Sequence, residues 1–188
     1  MFKKVLCLLF LSLFIVSCGD DALETTEVST KWLTQMPLSD FSISIPASWW
    51  VIEDVERILP KPSDGNIELA VTSKEIKAWF SNNMLILSDT LNTFTTSKEF
   101  SMLNNVGASK DYLEYTKLDS KEIIFTDEEV SILYIFEAKY NMETPKLKFL
   151  QTAHVCNQNK AFLFTIALST EIKDTSKYEA LIKTFKCK

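Results

Sequence analysis

The sequence predicts an α+β fold: a central antiparallel β-sheet flanked by helices. Three observations carry this. The runs "EEVSILYIFEAKY", "KLKFLQTAHVC" and "AFLFTIALS" repeat their large apolar residues at the two-residue period of a strand. Short polar segments, "NMETP" and "NQNK", join them as in an antiparallel meander. Segments of helical spacing lie on either side of the meander. Strands bracketed by helices give a sheet with helices packed over it.

The elements follow in chain order. The folded domain is expected to begin near Trp32 and to occupy residues 32–188. In "FSISIPASWW", Phe41, Ile43 and Ile45 alternate with Ser42 and Ser44, which predicts a half-buried strand stopped by Pro46. "KPSDGN" is a turn cluster, and "IELAVTSK" and "AWFSNNMLIL" are two further strands. "TTSKEFSMLNN", from Thr95 to Asn105, reads as a helix with Phe100 and Leu103 on one face and Thr95, Thr96 or Ser97 as its cap. In the meander the core-facing sets are Val130, Ile132, Tyr134, Phe136 and Ala138, then Leu147, Phe149, Gln151, Ala153 and Val155, then Phe162, Phe164, Ile166 and Leu168. One face of this sheet is expected to lie on a core. A closing helix over about 175–185 carries Tyr178, Leu181, Ile182 and Phe185 as its apolar stripe.

Residues 1–17 read as a secretory leader. Lys3 and Lys4 precede an apolar run from Val5 to Val16, too short for the roughly 20 residues that a membrane span requires. Ile15-Val16-Ser17-Cys18 resembles the lipobox of bacterial lipoproteins. That resemblance implies cleavage before Cys18 and a diacylglycerol on its sulfur, with the new N-terminus often acylated as well. An ordinary secretory leader followed by a chance cysteine is the alternative. Several acyl chains together anchor durably, since each buried methylene contributes about 0.8 kcal/mol. Residues 18–31, poor in large apolar side chains and rich in acids, read as the acylated cysteine and a hydrated tether. Gly19 after the cysteine resembles the pattern for outer-membrane delivery, and Asp20 and Asp21 resemble export signals of surface lipoproteins. The expected location is therefore the outer membrane, with the domain facing the periplasm or the outside.

Charge bounds the partners. Without Lys3 and Lys4 the chain carries 18 basic and 25 acidic side chains, a net charge of −7. This argues against nucleic acid, whose binders present basic patches, and against electrostatic attachment to anionic lipid. Arg57 is the only arginine. Of four cysteines, Cys7 leaves with the leader and Cys18 carries lipid, which leaves Cys156 and Cys187. An even pair in an oxidising compartment predicts a disulfide; two buried thiols that point apart are the alternative.

The order of these motifs is similar to that of the PsbP-like family, which includes the oxygen-evolving subunit of photosystem II and many bacterial lipoproteins. "FSISIPASW" is followed by "NNMLIL", a helix, the meander with "FLQTAHV" and "AFLFTIAL", and a terminal helix ending in "LIKTFK". The resemblance spans about residues 36–186. It implies a central antiparallel sheet between helices, an α/β/α sandwich. It carries over no binding residues, because the histidines and carboxylates proposed to bind metal in the plant subunit cannot be placed on this sequence residue by residue.

No catalytic or metal site is expected, and no cofactor. His154 is the only histidine and is read as partly exposed, on the strand face opposite the core set. Catalysis would need a placed carboxylate or nucleophile beside it. Zinc would need further ligands, and only Cys156 and Cys187 are available, which a disulfide would consume. "TDEEV" is read as solvated turn charge. Three glycines beyond the leader exclude a glycine-rich phosphate loop.

Trp32, Trp49, Trp50 and Trp79 form the expected binding patch. Neighbouring Trp49 and Trp50 point to opposite sides of an extended segment, so one is left at the surface unless residues 51–62 cover both. The expected function is a non-enzymatic, lipid-anchored binding or assembly module for another envelope protein, monomeric in its domain. A carrier or sensor of a small apolar ligand is the alternative, and an enzyme the third reading.

Overall fold

The computed structural model describes residues 32–59, 62, 65–77, 80–157 and 159–188. The leader, Cys18, the tether and Trp79 lie outside these. The elements run β1 (Leu33–Pro37), β2 (Phe41–Pro46), β3 (Trp49–Val51), α1 (Val55–Ile58), β4 (Asn66–Lys77), β5 (Phe80–Thr90), α2 (Ser97–Asp111), β6 (Leu113–Ile124), β7 (Val130–Lys139), β8 (Leu147–Cys156), β9 (Lys160–Ser169), α3 (Ser176–Lys183) and β10 (Lys186–Cys187).

Seven strands form one antiparallel sheet in the order β3-β4-β5-β9-β8-β7-β6. α2 carries the chain from β5 to the far edge, and the meander β6-β7-β8-β9 walks back until β9 pairs with β5. A small sheet, β1-β2-β10, covers one face of the large one together with α3. There Phe41, Ile43 and Ile45 of β2 and Leu181, Ile182 and Phe185 meet Ile86, Leu133, Leu150, Phe162, Phe164 and Ile166. α2 covers the opposite face, where Ala108 and Tyr112 meet Phe136, Phe149 and Ala167. The α+β sandwich stands as the sequence predicts, with a second sheet added to one outer layer.

Both faces of the meander are buried, which corrects the expectation of a single core face. Phe149 pairs with Ala167 and Leu150 with Ile166. The set Leu147, Phe149, Gln151 therefore faces α2, while Phe162, Phe164 and Ile166 face the larger core. A sheet covered on both sides fills both alternating sets with apolar residues, so alternation no longer marks which side is inside.

α2 begins where its sequence allows. Thr96 caps it: its hydroxyl accepts from the Glu99 N–H, and the Glu99 carboxylate accepts from the Thr96 N–H. The helix runs longer than expected and buries a different face. Leu103 is 65% exposed, and Met102 and Val106 also face outward. The buried positions are Ser97, Ser101, Asn105 and Ala108. The sheet supplies the reason. β7 and β8 pair only from Tyr134/Gln151 to Ala138/Leu147 and then part. The start of α2 serves the freed strand ends. Ser97 accepts from the Val155 N–H through its hydroxyl and from the Ser131 hydroxyl through its carbonyl, and the Ser101 hydroxyl donates to the Ile132 carbonyl. Buried backbone groups must find partners, and small hydroxyl side chains reach them where leucines would not.

Two glycines give opposite expectations. Gly65 sits at φ +75°, and a Cβ there would lie 2.3 Å from the Ser88 carbonyl oxygen. Gly107 lies inside α2 with nothing within 4 Å of an added Cβ. Gly65→Ala is expected to destabilise by more than about 1 kcal/mol, and Gly107→Ala to stabilise by about 0.5–1 kcal/mol. Denaturant titration of both variants checks this; a shared sign would contradict it.

Candidate functional site

Two regions carry the chemistry-bearing residues. The first is aromatic. Trp49 is 9% exposed and packs into the core, its ring centroid 6.4 Å from that of Tyr178. Trp50, the next residue along β3, is 56% exposed. The two side chains diverge as strand geometry requires, and the exposed one stands apart from Trp32. Trp32 and Trp49 instead line an open groove of about 300 Å³ with Pro46, Ser73, Asn82 and Tyr178. A neighbouring groove of about 360 Å³ runs past Met36, Pro37, Ile45 and Trp49. The structure thus brings together Trp32 and Trp49 of the expected patch and separates Trp50; Trp79 lies outside the described residues.

The second region lies at the C-terminal end of β8. His154 is 2% exposed, a correction to its reading as a partly exposed residue. It points into the larger core, edge-on to Phe125 at 4.7 Å between centroids and against Phe185 at 4.9 Å. Burial of an imidazole among phenyl rings requires partners for its nitrogens. Nε2 lies 3.0 and 3.1 Å from the two carboxylate oxygens of Asp127. Nδ1 faces sulfur, 3.4 Å from Cys187 Sγ and 3.8 Å from Cys156 Sγ. A carboxylate only accepts, so the hydrogen is assigned to Nε2, and the Nδ1 lone pair is turned to the sulfurs.

Each group is held by a different element. Asp127 sits in the turn between β6 and β7, where Glu128 takes φ 69°. Thr126 ties that turn to α3 by donating its N–H to the Lys183 carbonyl, and its hydroxyl donates to the Phe185 carbonyl. Cys156 ends β8. Cys187 lies on β10, whose two register pairs are Lys186/Ser42 and Cys187/Phe41. Cys156 and Cys187 are joined in a disulfide, Cα to Cα 5.9 Å.

Burial pushes the Asp127 carboxyl up, but the hydrogen bond from His154, with the Glu129 and Cys187 backbone N–H groups, outweighs it and holds the group below the ordinary carboxylate value. Such a carboxyl binds its proton more weakly folded than unfolded. Its contribution is complete above the unfolded carboxylate range and is lost as pH falls through the lower folded value. Asp40 and Glu114, bonded to Lys160 and Lys139, and Glu99 and Asp174, at helix starts, are depressed as well. Asp127→Asn is therefore expected to flatten, not abolish, the decline of Tm with acid below about pH 4. An unchanged slope would contradict the Asp127–His154 pairing.

Sequence reading placed Asp127 among solvated turn charges and missed this pair. The available signal was His154 itself, a single histidine inside the apolar run "FLQTAHVC", which needs a partner once buried. The carboxylate that catalysis would demand is present, but Nδ1 faces two bonded sulfurs rather than a nucleophile or an open cleft. His154, Cys156 and Cys187 offer three ligand atoms within 4.8 Å of one another, and the disulfide occupies the two sulfurs.

No protein-family model matches the sequence, and no curated protein is detectably similar to it. Solved structures are similar in fold. Cyanobacterial PsbP (CyanoP) from Synechocystis sp. PCC 6803 superposes with a TM-score of 0.58 at 10% identity, over 86% of this chain and 96% of that one. PA94, a protein of unknown function from Pseudomonas aeruginosa, superposes with a TM-score of 0.50 at 13% identity, over 80% and 91% of the two chains. The chain thus has an α+β fold matching that of a PsbP-like protein. No helix among the described residues is long and apolar enough to cross a membrane.

Proposed function

We propose that this chain is a lipid-anchored protein of the bacterial cell envelope, held at the outer membrane through Cys18, with a PsbP-like domain that serves as a non-enzymatic binding or assembly module for another envelope protein. The observation that carries the reading is the leader that ends in Ile15-Val16-Ser17-Cys18 ahead of a folded domain. Thirteen residues separate Cys18 from Trp32, and the fourteen Cα–Cα steps between them can span at most about 50 Å when extended. The anchor thereby keeps the Trp32/Trp49 groove close to the bilayer and raises its effective concentration for partners there. The open shape of the groove suits an extended segment or a side chain of a partner protein. The apolar lining of the neighbouring groove, Met36, Pro37, Ile45 and Trp49, favours the second reading, a carrier or sensor of a small apolar ligand.

Expression in a diderm bacterium with labelled palmitate tests the anchor. Wild type is expected to take up label and enter the detergent phase, and Cys18→Ser to lose both properties. Unlabelled wild type in the aqueous phase would overturn the proposal.

A further inference from the structure

The groups around His154 are arranged for more than a staple. We infer that reduction of the Cys156–Cys187 disulfide creates a zinc site, with His154 Nδ1 and the two cysteine sulfurs as protein ligands and Asp127 as the outer partner of the histidine. The inference is independent of the lipid anchor and uses no residue of the aromatic groove.

The geometry carries it. Tetrahedral zinc with Zn–S of about 2.3 Å and Zn–N of about 2.0–2.1 Å places nitrogen and sulfur about 3.5–3.6 Å apart. The two Nδ1–sulfur distances, 3.4 and 3.8 Å, bracket that value. The sulfurs must separate, and loss of the bond between them removes the constraint that holds them together. The correct nitrogen is presented, because Asp127 engages Nε2 at 3.0 Å and leaves Nδ1 toward the sulfurs. A carboxylate behind a ligating histidine fixes its tautomer and orientation, the usual outer shell of zinc sites.

Charge and access agree. Two thiolates neutralise the dication, so the buried ligand set carries no net charge at the metal. Cys156 and His154 are buried, whereas Cys187 is partly exposed on a strand of two residues. Opening of that strand gives the metal its way in. Three protein ligands leave the fourth position to water or to a small molecule with a metal-binding atom.

The steps balance with a dithiol as reductant. Its two thiols supply two electrons and two protons and close into a disulfide, while Cys156 and Cys187 become thiols. Zinc then displaces both thiol protons to solvent. Exchange with a small-molecule disulfide, which takes two electrons from the thiolates and two protons from solvent to become two thiols, would re-form the Cys156–Cys187 bond and expel the metal, so the disulfide acts as the switch between a closed, metal-free form and a zinc-binding form.

The mature protein in detergent, reduced with a dithiol that is then removed, is titrated anaerobically with cobalt(II) and then with zinc. One equivalent of cobalt is expected to give tetrahedral d–d bands and a sulfur-to-cobalt charge-transfer band, both lost on adding zinc. The oxidised protein and Cys156→Ser/Cys187→Ser are expected to show neither band. Asp127→Asn should keep the bands and bind zinc about 10–100-fold more weakly. Reduced protein that gives no charge-transfer band, or that binds zinc no more tightly than the double variant, would overturn the inference. Wild-type affinity in Asp127→Asn would remove Asp127 from the site.

Discussion

Phe185→Ala is expected to destabilise the domain by about 3–5 kcal/mol, the range for losing a large buried aromatic side chain. Phe185 is fully buried at the point where α3, both sheets and the His154 site converge. Its ring centroid lies 4.7 Å from Phe164, 4.9 Å from His154, 5.0 Å from Phe41 and 5.3 Å from Phe162. Truncation removes those contacts at once, and neighbours from three different strands cannot all move in to refill the space. It also leaves one face of a buried imidazole bare. Phe94, 74% exposed, is the matched control, and Phe94→Ala should change stability by no more than about 0.5 kcal/mol. Guanidinium unfolding of the two variants provides the comparison. A loss below about 1 kcal/mol for Phe185→Ala would mean that the C-terminal segment is not part of the core.

Loss of the disulfide ranks second. It joins residues 31 apart, and the chain-entropy relation gives a cross-link of that length about 3.7 kcal/mol at 25 °C. The bond closes a loop that contains β9 and α3 and pins β10 against β2, where only two register pairs hold it. Cys156→Ala/Cys187→Ala is expected to lose about 2–4 kcal/mol and to expose the amides of residues 186–188 to hydrogen exchange before the rest of the domain. Equal protection of those amides in wild type and variant, or no change in stability, would contradict this role.

The fold was legible in the sequence where one force dominated. The meander strands, the stop at Pro46 and the closing helix with Tyr178, Leu181 and Ile182 all follow from burial and backbone restriction. β6 was not legible. "LEYTKLDSKEII" is an edge strand that carries Glu114, Lys117, Asp119, Lys121 and Glu122, charges that protect an open edge and erase the apolar alternation. The buried face of α2 was not legible either, because Ser97 and Ser101 are chosen by unpaired strand ends that exist only after the sheet has formed. The site shows the same limit. Asp127 and His154 are 27 residues apart, and their meeting depends on a turn docking against the end of α3. Cys156 and Cys187 could be paired by elimination, but nothing local says that an imidazole lies against their sulfurs. The aromatic groove was half legible: adjacent tryptophans had to diverge, yet which of them joined Trp32 was settled by the packing of Tyr178 on Trp49.

The proposal stands on the attachment of fatty chains at one sulfur, and mass spectrometry of the natively expressed protein tests it most directly. The account predicts an N-terminal peptide that begins at Cys18 and carries a diacylglycerol, with or without a further acyl group on its amine. An unmodified Cys18, or a peptide that retains residues 1–17, would contradict it.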